Sequence, residues 1–310
     1  MKSAAIAFLG IFLASTAFAQ SDEIRLGHFM SPQHPMDRFV MRPLSEEYNA
    51  AMEGRSVIQI YPAGELGKGP NQQFKRAVTG ETDISFGLPG YTQNLFPMTT
   101  MFELPGLYLD PVTATEAMWD SIDLVQQDYE RVKLLATWSN NPTVIISRDR
   151  PVRNFDDLRG MKVRVGNPTT AKIIEDWGGV PVTLPANQVY QSMSTGVIDA
   201  AYIGGSAILG FKLYEVGNFV TVNIPGAITT FYLVMNKERW EGLTDEEKQM
   251  LDSMTGRELS IEAAQAYQRV GQRAISTAAE NGVQVVTLNE YQLSAFLERF
   301  PYSTQGQAGN

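Results

Sequence analysis

Arg164 lies near the end of a strand-like run, Met161-Lys162-Val163-Arg164-Val165, and the run opens directly into Gly166-Asn167-Pro168-Thr169-Thr170. Asparagine is a favoured helix N-cap and proline a favoured first helical residue, so Asn167-Pro168 predicts a helix start. Strand, tight turn and helix in that order form the geometry in which open α/β sheets bind ligands at the carboxyl ends of their strands. A guanidinium beside free helix N–H groups there would make an anion site. Taken locally, the same residues also fit a surface arginine in a weak salt bridge.

Other chemistry is sparse. The chain has two histidines, His28 and His34, and no cysteine. A His/Cys zinc site has no ligands to spare. A Ser-His-acid triad would need one of the two histidines, and no Gly-x-Ser-x-Gly elbow, Walker motif or dinucleotide glycine fingerprint occurs. No cofactor or metal is expected. His28 ends the first strand, as a ligand contact or as a packed, satisfied residue; His34 falls in a loop, Ser31 to Pro35. Asn167 has its role as cap and could also face a ligand. Trp138 ends a strand, as cleft wall or as core, and Phe86, Tyr202 and Phe231 end or lie within strands that could reach a crevice. Tyr91, Phe96 and Phe102 read as a cluster packed under a loop, and Glu65 to Lys68 as a solvated turn.

The elements that must position these residues alternate between strand and helix, which indicates an α/β protein. Strands are expected at 23–28, 56–61, 83–87, 132–138, 143–147, 161–165, 181–184, 200–203, 219–222, 230–236 and 283–288. Helices are expected at 37–52, 71–78, 113–129, from Asn167 to Trp177, 188–195 and 291–299. Thr244-Asp245-Glu246-Glu247 is a capping box that opens helical character running nearly to Glu280, where Asn281-Gly282 stops it. Uninterrupted, that helix would be about 50 Å long, enough to span two domains, with Gly256 as a place for a break or kink.

Lys2, the apolar run Ala4 to Leu13 and Ala17-Phe18-Ala19 form an export signal, with the mature chain starting at Gln20. That run is too short to span a bilayer, and no later segment is long enough. A cysteine-free exported chain of 310 residues can bury an adequate core without disulfides and suits a bacterial periplasm. With 25 basic against 34 acidic residues, nucleic acid and anionic membrane surfaces are disfavoured as partners.

Several segments together resemble the solute-binding proteins of tripartite ATP-independent periplasmic (TRAP) transporters. They are Tyr61 to Gly67, Gly80 to Ile84, Phe155 to Val165, Tyr190 through Gly196-Val197-Ile198-Asp199, Met235-Asn236-Lys237 and the long helix. The resemblance covers essentially the whole mature chain. It implies a two-lobed periplasmic binding protein with crossing hinge strands and a long helix spanning both lobes. The expected division is a signal peptide at 1–19, lobe I at 20–146 with 230–258, lobe II at 147–229 with 259–302, and a flexible tail at 303–310. It implies that Arg164 pairs with a ligand carboxylate in the cleft.

The chain departs from the sialic-acid-binding members. Where those carry a second arginine it has Thr143, with Arg148 and Arg150 nearby in sequence. Where those have Glu-Asn-Pro it has Tyr202-Ile203-Gly204-Gly205-Ser206. The expected function is therefore periplasmic capture of a small organic acid, a monocarboxylate rather than a sugar acid, and its delivery to TRAP membrane subunits. Candidate ligand contacts are Arg164, Asn167, Trp138, His28, Phe86, Tyr202, Gly204, Ser206 and Phe231. The competing readings are an exported hydrolase or isomerase using a carboxylate and His28, and a ligand-sensing subunit for a membrane kinase.

Overall fold

Short β-branched runs bounded by glycine, proline and capping residues build eleven strands in the computed structural model, which describes residues 22–300. The expected signal peptide and tail lie outside the described residues. In chain order the strands are β1 (Asp22–Gly27), β2 (Ser56–Tyr61), β3 (Ile84–Gly87), β4 (Val132–Ser139), β5 (Thr143–Ser147), β6 (Lys162–Val165), β7 (Val180–Thr183), β8 (Ala200–Gly204), β9 (Phe219–Val222), β10 (Thr230–Asn236) and β11 (Gln284–Thr287).

They form two sheets, ordered β2-β1-β3-β10-β4 and β11-β9-β5-β8-β6-β7. In each, one strand that crosses from the other side runs antiparallel to its neighbours: β10 against β3 and β4, and β5 against β8 and β9. The chain therefore passes between sheets at residues 140–142 and again at 223–229. The first crossing corrects the expected boundary at 146/147. Thr143 to Ser147 are registered against Gly204 to Ala200, so all of β5 belongs to the second sheet.

Each sheet has its own core. Ile24, Leu26, Phe86 and Trp138 are fully buried in the first, and Trp177 packs edge-on against Tyr202 and Phe296 in the second. The long helical stretch joins them. Its capping box is present, with Thr244 Oγ1 accepting from the Glu247 N–H and the Glu247 carboxylate accepting from the Thr244 N–H. Helix Asp245–Met254 then stops at Thr255, and Gly256, at φ +77°, turns the chain into a second helix, Gly256–Glu280. The break expected at Gly256 is present and makes the stretch a bent pair, because the left-handed conformation there cannot continue an α-helix.

The second helix has 25 residues and a length of roughly 38 Å. Ala263, Ala264 and Tyr267 enter the first core, and Ala274 and Ala278, two to three turns on, enter a core of the second sheet. Small residues at helical spacing let one rod lie close to both sheets. Polar ties fix it there: Ser260 Oγ accepts the Thr137 N–H at 3.1 Å, and Asn141 Nδ2 donates to the Tyr267 carbonyl at 2.7 Å.

The second core depends on one large ring. Trp177→Ala should lower unfolding stability by about 3–5 kcal/mol, since a buried indole is lost and its cavity only partly relaxes. Urea unfolding followed by circular dichroism checks this; a loss below 1 kcal/mol would show that the site collapses around the missing ring.

Candidate functional site

Arg164 sits on β6, hydrogen-bonded between β7 and β8, with Val182 and Ala201 as its register partners. One residue beyond the strand, Gly166 leads into Asn167, which caps helix Pro168–Asp176. Asn167 Oδ1 accepts from the Thr170 N–H at 2.8 Å, completing a capping box with the Thr170 hydroxyl. The expected strand–turn–helix is therefore present. Arg164 is only 4% exposed. Its Nε donates to the Leu184 carbonyl at 2.8 Å, and no acidic residue among those described pairs with it. Burial lowers the guanidinium's pKa from its ordinary value, with the nearby Tyr91 hydroxyl acting in the opposite sense. Arginine stays protonated in proteins, so this is a buried, uncompensated cation.

The cation faces a cavity between the two sheets, with about 680 Å³ of unfilled space counting its open mouth. Of the expected contacts, Arg164, Asn167, Tyr202, Gly204, Ser206 and Phe231 line it. His28, Phe86 and Trp138 do not. Phe86 and Trp138 are fully buried behind Phe231, with ring centroids 5.5 and 5.7 Å from it, so the cavity meets Phe231 and they form the layer beneath. His28 is consumed structurally: its Nε2 lies 3.1 Å from Asp37 Oδ2, both side chains are buried, and Arg42 holds the other Asp37 oxygen. Burial lowers the His28 pKa, with Asp37 opposing. Arg148 and Arg150, adjacent in sequence to β5, do not line the cavity; Thr143 does.

Several polar wall residues escaped the sequence reading, among them Tyr91, His34, Asn140 and Tyr267. Tyr91, expected under a loop, accepts the Ala186 N–H on its hydroxyl at 2.9 Å, reaching across from the first-sheet side to the second. His34, expected in a loop, is 5% exposed and packs on Phe211 at 4.9 Å. Asn140 stands in the first crossing segment, and Tyr267 on the long helix. For Tyr91 and His34 a signal existed, since both follow the carboxyl ends of first-sheet strands, where open α/β sheets place ligands. Among the described wall residues Arg164 carries the one formal charge, because burial pushes His34 down to about 3 and leaves it neutral.

A second buried ionisable group sits just behind the wall. Glu103 Oε1 accepts from the Thr230 N–H at 2.8 Å and the Thr230 hydroxyl at 2.7 Å, while Oε2 lies 3.4 Å from Asn167 Nδ2. It thus touches the helix cap from the opposite side of the cleft. Burial raises its pKa to about 7, against the two Thr230 hydrogen bonds.

Comparison with known proteins settles the family. The model for the bacterial extracellular solute-binding proteins, family 7, matches residues 26–307. The chain belongs to that family. A solute-binding protein of Albidiferax ferrireducens is 28% identical over 291 residues, 89% of this chain and 83% of its own. A TRAP solute-binding protein from Rhodoferax ferrireducens, solved with copurified benzoate, superposes with a TM-score of 0.85 at 23% identity, covering 90% and 88% of the two chains. A marine-metagenome TRAP solute-binding protein specific for aromatic acid ligands, solved with 3-hydroxybenzoate, gives 0.83 at 26% identity, covering 94% of each. Family 7 members are periplasmic binding proteins that take small acids and work with TRAP membrane subunits. They are not enzymes, which removes the hydrolase or isomerase reading. No helix among the described residues is long and apolar enough to cross a membrane.

The Glu103 geometry sets a pH dependence. Its folded pKa, about 7, lies above that of an unfolded glutamate, so the folded state binds the extra proton. Stability from this group is full below about pH 4.5 and falls as pH rises through 7. His34 works oppositely, losing stability as pH falls below about 6.5. Glu103→Gln isolates the first effect. Its stability relative to wild type should rise by on the order of 3 kcal/mol between pH 4.5 and 8. Chemical denaturation at the two pH values measures it, and an unchanged difference would mean that Glu103 titrates normally.

Proposed function

We propose that this protein captures a small monocarboxylate with an aromatic or apolar body, pairs it with Arg164, and closes its lobes around it for delivery to TRAP membrane subunits. The observation that carries this is the buried Arg164 guanidinium, the one formal charge among the described wall residues and without an acidic partner. A ligand carboxylate supplies the missing counter-charge through two parallel hydrogen bonds from the planar fork. A second carboxylate would enter with no cation to meet it, at a high desolvation cost. Phe211, Phe231, Tyr202 and Tyr267 provide ring surface for the ligand body. The aromatic-acid specificity of the relative at 26% identity supports the same class.

Lobe closure belongs to the same reading. Residues 140–142 and 223–229, with the long helix, are the segments through which one lobe would move on the other, and the Tyr91–Ala186, Gln93–Thr169 and Glu103–Asn167 contacts hold the closed form.

Arg164→Ala should weaken binding of benzoate by about thirtyfold or more with the fold intact, and Arg164→Lys should also lose substantially, because the bidentate fork is gone. Titration calorimetry tests this; wild-type affinity in Arg164→Ala would end the assignment. In the same assay benzoate or mandelate should outcompete succinate. Diacids binding at least tenfold tighter than every monoacid would overturn the ligand class but leave the family membership standing. Small-angle scattering should show a smaller radius of gyration at saturation, and an identical profile with and without ligand would argue against closure.

A further inference from the structure

Two neutral hydrogen-bond donors in the cavity wall are held in a fixed orientation and have nothing to donate to. The first is the Asn140 amide. Its Oδ1 accepts from the Asn141 N–H at 2.7 Å and from the Ser206 hydroxyl at 2.8 Å. A main-chain N–H can only donate, so the atom it meets must be the oxygen, and the amide cannot flip. Nδ2 is thereby committed as the free end, and no acceptor for it exists among the described residues. It lies over Gly204, where a Cβ would come within 2.4 Å of it. The second is His34. Its Nδ1 accepts from the Met36 N–H at 3.1 Å, which by the same logic places the proton of the neutral ring on Nε2. Nε2 too has no acceptor among the described residues, and it also lies over a glycine, Gly210, where a Cβ would approach to 2.6 Å.

Asn140 is 7% exposed and His34 5%, and both line the cavity that Arg164 faces. Buried donors are normally satisfied, and a pair oriented by backbone groups in a ligand cavity points to an acceptor that arrives with the ligand. The acceptor is uncharged, because both donors are neutral and the formal charge is concentrated at Arg164. Of the other polar wall groups, Thr143 donates to the Ala227 carbonyl and Tyr202 to the Pro225 carbonyl, while the buried Tyr267 hydroxyl also has no partner among the described residues.

We propose that Asn140 Nδ2 and His34 Nε2 read a second, uncharged oxygen on the ligand, a hydroxyl or oxo group, so that the preferred ligands are oxygenated monocarboxylic acids rather than their hydrocarbon parents. This rests on the reading of Arg164 as the carboxylate partner. A site built to hydrogen-bond a ligand oxygen discriminates strongly against the analogue that lacks it, because its donors are then left desolvated and unpaired.

Calorimetric titration uses the full mature chain with benzoate and phenylacetate as parents, and 3-hydroxybenzoate, 4-hydroxybenzoate and mandelate as oxygenated partners. In the wild type at least one oxygenated acid should bind about tenfold or more tightly than its parent. His34→Asn keeps an acceptor for the Met36 N–H but removes the Nε2 donor; Asn140→Leu keeps the shape and removes Nδ2. One or both should cut that preference, read as the ratio of the two affinities within the variant, at least fivefold. The ratio of two affinities within one variant is insensitive to a general loss of stability. An unchanged preference in both variants, or no preference in the wild type, overturns the proposal. If benzoate binds and depends on Arg164 but oxygenation makes no difference, the carboxylate reading survives and this one fails. Benzoate binding untouched in Arg164→Ala breaks the carboxylate reading instead, and this proposal with it. No heat from any of the five acids also overturns both.

Discussion

A single charge, buried without a counter-ion, organises this protein. Holding the Arg164 guanidinium at 4% exposure with a backbone carbonyl on Nε and the neutral Tyr91 hydroxyl beside it is unfavourable in the protein alone, because desolvation of a cation is repaid only by a well-placed anion. The fold accepts that cost at one position and removes every competing negative charge from the wall, placing Glu103 just behind it where burial favours its neutral form. On the proposed reading, complementarity to a ligand carboxylate is built into the wall before any ligand contact is made.

The rest of the architecture serves that position. β6 carries Arg164 in the interior of the second sheet, where β7 and β8 fix its backbone on both sides. The Asn167 cap adds the dipole of helix Pro168–Asp176 and, through Glu103, a tie to the opposite lobe. The crossing at 140–142 brings Asn140 and Thr143 to the same cavity, and the long helix contributes Tyr267 while packing on both cores. Asn140 and Thr229 of the two crossing segments, with Tyr267 of the long helix, thus line the same cavity as Arg164.

The errors of the sequence reading share a cause. Phe86 and Trp138 were candidate wall residues because they end strands, but period-two alternation does not say which face meets ligand. Phe231 covers both, and that ordering of layers is a property of how β3, β4 and β10 stack under the long helix. His28 lost its free role to Asp37, nine residues away, a pairing set by how the chain after β1 folds back. Tyr91, His34 and Glu103 lie in loops and short 3₁₀ turns, which carry no hydrophobic period to locate them.

What the sequence by itself determined is local or compositional. Asn167-Pro168 and the Thr244 box mark helix starts because capping is a matter of a few adjacent backbone groups. The α/β class follows from alternating periods, and the scarcity of histidine and cysteine argued against a His/Cys zinc site and a Ser-His-acid triad. Only the tertiary structure decided that Arg164 is buried without an acid beside it, that Asn140 and His34 have donors to spare, and that β5 belongs to the second sheet. Those facts are about pairs of groups tens to hundreds of residues apart. Whether a charge or a donor finds a partner depends on every element packed around it, and no local pattern encodes that.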